Sequence, residues 1–321
     1  MKPLSSICKS IFASAIAVSA LTVSALAEYP EKPVTMIIPL GAGGSHDLNA
    51  RVISSILPSY LGQPVIVKLM PGASGQTGTA AAANAAADGY TILFTHNFID
   101  QLQQHVSKLP YDPNEDFVTV ARTNYAAPSV IVKKDSEFAD IDSILSYAKE
   151  NPGKLRFGHS GNWGAFMVPG AMLFSKAGAR PTLVPHKGGG PALQALLAGD
   201  VDVSMAFNSV IDSQAENVTP LVSVSPNTTI EGVPTTDEVG IPDVGEMGIM
   251  HRVVLAPAGV PEEALAKLRA AFAEMQEDKT YKRMLGKLGE NTEFMDGEAY
   301  DAVRLKQSEE YGNLVRNLAS N

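Results

Sequence analysis

From Val34 onward the chain alternates short β-rich runs with stretches in which apolar residues recur every three or four positions. Val34 to Pro39 predicts a strand, a glycine loop follows, and His46 to Leu61 predicts a helix, kinked at Pro58, with Leu48, Val52, Ile53, Ile56, Leu57, Tyr60 and Leu61 on one face. Val65 to Leu69 predicts a second strand, Pro71 to Gly78 a second glycine loop, Thr79 to Ala87 an alanine-rich helix and Tyr90 to Thr95 a third strand. The rhythm then repeats: strand Val130 to Lys133, helix Ile141 to Glu150, strand Leu155 to Gly158, loop Ser160 to Gly164, and helix Ala165 to Ala177 with Pro169 inside it. Strand Leu183 to Pro185, loop His186 to Gly190, helix Pro191 to Ala198 and strand Val201 to Phe207 continue it. From Glu262 the pattern is helical, with Leu265, Leu268, Phe272 and Met275 along one stripe, then Tyr281 to Leu288 and Tyr300 to Leu318. Strands alternating with helices imply mostly parallel sheets covered on both faces, and so an α/β chain of two lobes with C-terminal helices. Such sheets bind ligands in the loops at the carboxyl ends of their strands.

With 321 residues, 45% hydrophobic and 18% charged, the chain is too long and too apolar for a disordered tail, and its length suits about two domains. A formal charge of -9 argues against a nucleic-acid partner. Residues 1–27 read as a cleavable export signal: Lys2 and Lys9, an apolar run from Ile11 to Val23, then Ala25-Leu26-Ala27 before Glu28. Beyond Glu28 no run approaches a membrane span, so the mature chain is expected not to insert into a membrane. Cys8, the sole cysteine, goes with the signal, which excludes a nucleophilic thiol and cysteine metal ligands from the mature chain. That chain keeps 23 basic and 34 acidic residues, a charge of -11, so any anion it binds must be met by local dipoles.

Two glycine loops, Gly41-Ala42-Gly43-Gly44-Ser45-His46-Asp47 and Gly72-Ala73-Ser74-Gly75-Gln76-Thr77-Gly78, each stand between a strand and a helix. Free N–H groups and the helix dipole at such a junction suit a carboxylate or phosphate. Neither loop ends as a nucleotide P-loop does, and the first lacks the dinucleotide spacing, so no nucleotide cofactor is expected. Asp47 stands where it would cap the helix. His46, His96, His159 and His186 all fall in or beside strand-end loops, without the spacing of a helix-borne metal motif, and read as hydrogen-bonding groups for a polar ligand. His105 and His251 have no evident role. Ser160 beside His159 imitates a nucleophile and base, but neighbours on a strand point to opposite faces, and no esterase elbow or marked carboxylate pair accompanies them.

An ordered series of motifs adds a family resemblance. Tyr29-Pro30-Glu31-Lys32-Pro33-Val34, Gly43-Gly44-Ser45-His46-Asp47, Gly62-Gln63-Pro64-Val65, Pro71-Gly72-Ala73-Ser74-Gly75 and Asp88-Gly89-Tyr90-Thr91 are followed by Leu109-Pro110-Tyr111-Asp112-Pro113, Lys187-Gly188-Gly189-Gly190-Pro191, Gly199-Asp200-Val201-Asp202 and Ala256-Pro257-Ala258-Gly259. Together they resemble the tripartite tricarboxylate transporter substrate-binding proteins, the Bug family. The resemblance implies a two-lobed type II periplasmic-binding-protein fold with two crossovers between lobes, lobe one at residues 28–125 plus 255–321 and lobe two at 126–254. It implies a monomeric periplasmic protein, not an enzyme, that closes on a small carboxylate about its crossovers and delivers it to the membrane subunits of a tripartite transporter. An ATP-driven importer, a chemoreceptor or, on Ser160 and the histidines alone, a periplasmic hydrolase are the alternatives.

Carried over by position, the expected ligand residues are Ala42, Gly44, Ser45, His46 and Asp47, then Ser74 and Gly78, then Thr95, His96 and Asn97, with His159, Ser160, Asn162, Trp163, His186 and Asn208 in lobe two. His186 stands where the family commonly has Tyr, Asn208 where it has Asp, and His251 where it has Trp. No cofactor or metal is implied. With no Arg or Lys in either glycine loop, backbone N–H groups of Ala42 to Ser45 and Ser74 to Gly78 are expected to carry the anion.

Overall fold

The computed structural model describes residues 29–319 except 226, 228, 229 and 243; the expected signal at 1–27, with Cys8, lies outside the described residues. Strand β1 (Val34–Ile38) leads through the exposed loop 41–45 into α1 (Ser45–Ile56). Pro58 does not kink one helix but opens a second, α2 (Pro58–Leu61), at the first position, where its missing N–H costs no hydrogen bond. Leu48, expected on the buried face, is 41% exposed, while His46, Asp47 and Asn49 are buried in its place. Then come β2 (Val65–Leu69), a 3₁₀ turn Ala73–Gly75, α3 (Gln76–Ala83, three residues ahead of expectation) and β3 (Thr91–His96). A π-helical turn, Phe98–Leu102, runs into α4 (Gln103–Val106), and β4 (Phe117–Ala126) follows, the longest strand.

After Ala127 the chain enters β5 (Pro128–Lys133) and α5 (Ile141–Glu150), the latter closed by a capping box in which the Ser143 N–H donates to Asp140 Oδ1 at 2.8 Å. Next are β6 (Arg156–His159) and α6 (Met167–Lys176), whose Pro169 is in the first turn, where an N–H has no intrahelical partner, rather than in the interior. They are followed by β7 (Thr182–Pro185), α7 (Gly189–Ala198), β8 (Ser204–Phe207), α8 (Asn208–Ser213), β9 (Val218–Ser223) and α9 (Val244–Gly248). The return strand β10 (Met250–Pro257) leads to α10 (Glu262–Gln276), α11 (Lys279–Lys287), β11 (Met295–Asp296) and α12 (Gly297–Ala319).

The first lobe is a six-stranded sheet in the order β11-β4-β10-β3-β1-β2; the second holds β8-β5-β9, with the pair β6-β7 joined to β8 by the bridge between Phe157 and Val203. The expected parallel sheets are in fact mixed. β1 runs parallel to β2 and β3, and β6 to β7, but β10 is antiparallel to β3 and β4, and β5 to β8 and β9. The strands entering and leaving the second lobe must run opposite ways, which produces the antiparallel half. The boundary expected at 254/255 falls inside β10, which joins the first sheet from Met250. The first lobe packs α1, α10 and α11 on one face, and α3 and Tyr300 of α12 on the other. The far end of α12 departs from the expected partition, because Tyr311 and Leu314, with Phe98 and Leu102, are buried in the second lobe's core beside Val168 and Met172.

This topology aims both sets of strand ends at each other. Ile38 pairs with Leu69, so the loops after β1 and β2 share an edge; His96 at the end of β3 pairs with Arg252, and Met250 with Ala126, so that edge is also where the chain crosses over. In the second lobe Phe207, ending β8, pairs with Pro128, the first residue past the crossover, and β6 and β7 run parallel to β8. The loops after β1, β2, β3, β6, β7 and β8 therefore face one interlobe space.

Candidate ligand site between the lobes

Ala42, Gly44 and Ser45 lie in the exposed loop, and the buried carboxylate of Asp47 reaches back into it, accepting from the Gly43 N–H at 2.8 Å and pairing with Arg51 at 3.0 Å. Burial pushes the Asp47 carboxyl up, but the Gly43 N–H and the Arg51 guanidinium outweigh it and hold the group below the usual carboxylate range. Asp47 thus fixes the loop and consumes one of the donors expected for a ligand. Gly43 has φ of 78°, a left-handed value that glycine takes without strain, whereas Gly44 has an ordinary φ of -75° and a Cβ on it would meet only Gly41 O, at an ordinary contact distance of 3.9 Å.

The second loop is strained. Gly72, Ala73, Ser74 and Gly75 have successive positive φ of 142°, 46°, 55° and 97°, and two left-handed residues with side chains in a row mark a conformation held against its own preference. The turn uses its own N–H groups: Gly75 and Thr77 donate to Gly72 O, and Gln76 to Ala73 O. Most of the donors expected over Ser74 to Gly78 are therefore taken, and the exposed Ser74 is what the loop presents. Gly78 is buried where α3 crosses Pro39 and Met70, so close that a Cβ would stand 2.7 Å from Met70 O.

At the end of β3, Thr95 and His96 are buried, and neither Thr95 Oγ1 nor His96 Nδ1 has a hydrogen-bond partner among the described residues. Asn97 is fully engaged: its Nδ2 donates to Ile249 O at 3.0 Å and to the Tyr311 hydroxyl at 2.7 Å, and its Oδ1 accepts from the His251 N–H at 3.1 Å. It ties β3 to the return crossover and to α12. His46, too, is engaged on both ring nitrogens. Arg252 donates to Nδ1 at 2.7 Å, so the proton is on Nε2, 3.1 Å from the Phe94 carbonyl, and the ring stacks on Phe94 at 4.3 Å. Burial, then Arg252 and His96, hold the His46 imidazole well below its ordinary value; burial and Arg252 bring His96 down to about 3.

In the second lobe His159 is buried, its Nδ1 3.0 Å from the Gly161 carbonyl, and burial lowers its pKa, with His186 adding to the effect against the Gly161 bond. His186 donates its backbone N–H to His159 O at 2.9 Å, and its Nε2 has no partner among the described residues. Ser160 is half-buried and Asn162 exposed; Trp163, with φ of 57°, packs against the second lobe's core. Asn208 begins α8 and lines a cavity of 530 Å³ with Asp212, Glu231, Gly289 and Glu290, so that both lobes contribute to its wall.

The residues that composition and spacing missed lie beneath these loops. Arg252 and Glu290 form a fully buried ion pair: Arg252 Nε donates to Glu290 Oε2 at 2.9 Å and Nη2 to Oε1. Asn49 and Asn124 donate to the same carboxylate at 3.1 and 3.0 Å, and Asn124 to Asn49 Oδ1 at 3.1 Å. The network joins α1, β4, β10 and the segment after α11, behind the first glycine loop. A second buried pair, Arg304 with Asp100 at 2.8 Å, holds α12 to the π-helical turn. Among the described residues no group of histidines and acids is arranged to hold a metal ion.

The profile described as tripartite tricarboxylate transporter family receptor matches residues 49–319. The chain belongs to this receptor family. A UPF0065 protein from the tcbD-tcbE intergenic region of a Pseudomonas species is 32% identical over 80% of this chain and 78% of its own length, and BugT of Bordetella pertussis is 29% identical over 78% of each. In three dimensions MatC of Rhodopseudomonas palustris, solved with bound malate, superposes with a TM-score of 0.74 at 26% identity, over 89% of this chain and the whole of that one. Proteins of this receptor family are periplasmic substrate-binding proteins rather than enzymes, which sets aside the hydrolase reading of Ser160. Among the described residues no helix of this receptor is long and apolar enough to cross a membrane.

Proposed function

We propose that this receptor holds a small di- or tricarboxylate between its lobes and delivers it to the membrane subunits of a tripartite tricarboxylate transporter. The convergence of six strand-end loops on one interlobe space carries the reading, supported by the strained residues Ala73, Ser74 and Trp163 falling within those loops. Strain of this kind clusters at ligand sites, where surrounding structure over-determines the backbone. The bound malate of MatC agrees with the ligand class. One carboxylate is met in the first lobe by Ala42, Gly44, Ser45, Ser74 and the end of β3 at Thr95 and His96. Asp47, His46, Gly78 and Asn97 shape that wall from behind. The remainder of the ligand is read by Ser160, Asn162, Trp163, His186 and Asn208, with His159 supporting the loop. These are groups able to donate hydrogen bonds, set beside the flat apolar face of Trp163, and they fit a second carboxylate or an aromatic acid.

Thermal denaturation against a panel of aliphatic, hydroxylated and aromatic carboxylates tests the reading. A ligand at about 100 times its dissociation constant adds about 2.7 kcal/mol and raises Tm by about 4 °C. No shift across the panel, or tighter binding of acidic amino acids than of their des-amino analogues, contradicts it.

A further inference from the structure

Gly289, in the turn after α11, is the place where first-lobe backbone meets second-lobe backbone without room for a side chain. A Cβ on Gly289 would stand 2.7 Å from the Ser209 nitrogen, 3.0 Å from its Cβ and 3.2 Å from its Cα. Two of these three atoms are main chain, so no rotamer change relieves the overlap. Every other tight glycine among the described residues meets atoms of its own lobe.

Neither surface is free to yield. Gly289 donates to Gly286 O at 3.0 Å, Glu290 to Leu285 O at 3.2 Å and Asn291 to Tyr125 O at 3.1 Å, while the Glu290 side chain is locked to Arg252, Asn49 and Asn124. Across the gap, Ser209 is the second residue of α8, anchored behind by the buried Ile211 and ahead by Phe207, whose ring lies 5.2 Å edge-on from Phe166. Asn208, adjacent to Ser209, is one of the proposed ligand contacts. Gly289 and Asn208 both line the 530 Å³ cavity between the lobes.

We propose that Gly289 is a positioning residue: its bare backbone against Ser209 sets the closest approach of the two lobes, and thereby how far α8 carries Asn208 into the cleft. The part concerning Asn208 rests on the proposed interlobe site; the steric stop does not. A methyl group at 289 can be accommodated only by moving the second lobe outward, to ordinary contact distances.

The test uses residues 28–321, which contain no native cysteine, with spin labels on Ile66→Cys and Tyr147→Cys, two exposed positions on opposite lobes. Gly289→Ala should lengthen the interlobe label distance in the ligand-free protein. Gly62→Ala is the control: Gly62 has φ of 86°, so the substitution incurs the same left-handed strain, but nothing lies within 4 Å of its Cβ position, and the distance should not change. Ser209→Leu places the bulk on the opposite partner with the Gly289 turn intact, and should lengthen the distance even where Gly289→Ala fails to fold. Unchanged distances in Gly289→Ala and Ser209→Leu, or an equal change in Gly62→Ala, overturn the stop. Because no ligand is used, the outcomes separate: carboxylate binding with unchanged distances removes the stop and leaves the proposed function, whereas lengthened distances with no carboxylate bound do the reverse.

Discussion

His96 offers a quantitative test of the buried site wall. In the folded protein its imidazole is protonated only near about 3, because burial and the Arg252 guanidinium oppose a second positive charge; in the unfolded chain it is protonated near the ordinary value of about 6.5. Between those limits the unfolded chain binds more protons, so the stability that neutral His96 protects is fully present above about pH 6.5 and is lost as the pH falls. At pH 5 the unfolded state has gained about one and a half pH units of protonation free energy, or about 2 kcal/mol. His46 works in the same direction. Urea unfolding followed by far-ultraviolet circular dichroism at pH 7.5 and pH 5 gives the loss for the native protein, and His96→Gln removes this one contribution while the carboxylates titrate equally in both proteins. The variant should lose about 2 kcal/mol less than the native protein over that range. Equal losses, within about 0.5 kcal/mol, would refute the placement of a buried neutral His96 beside Arg252.

Glu290→Ala leaves the Arg252 guanidinium buried without its carboxylate and should cost about 3–5 kcal/mol in urea unfolding; a cost below about 1 kcal/mol contradicts the buried pair. Gly43→Ala should destabilise by about 1–2 kcal/mol through its left-handed backbone, while Gly44→Ala changes stability by less than about 0.5 kcal/mol, since its φ is ordinary and a Cβ there makes only an ordinary contact. Gly44→Val should nonetheless weaken carboxylate binding in calorimetry by covering the loop's backbone, and wild-type affinity in that variant removes the first loop from the site.

The periodicity of the chain placed the strands and helices it predicted within a few residues, because half-buried strands and amphipathic helices must repeat at 2 and 3.6 residues whatever surrounds them, but it gave no expectation for β4, β9, α8 or α9. The helix Ile141–Glu150 matches the expected bounds, and the two glycine loops stand between strand and helix as their composition predicts. Local pattern failed where long-range contacts outweighed it. Leu48 faces outward and His46, Asp47 and Asn49 inward because the first turn of α1 rests on Arg252 and Glu290, more than 200 residues away in sequence, and a paired buried charge attracts polar neighbours that hydropathy assigns to solvent. The site shows the same division. Residue type and order marked Gly44, Ser74, His159 and His186, but only the folded chain shows that Gly43, Gly75, Gln76 and Thr77 spend their N–H groups on the loops themselves, and that His46 and Asn97 are occupied as supports. Hydrogen-bond donors are identical in every sequence context; which of them remain for a ligand is decided by the backbone geometry that tertiary packing imposes.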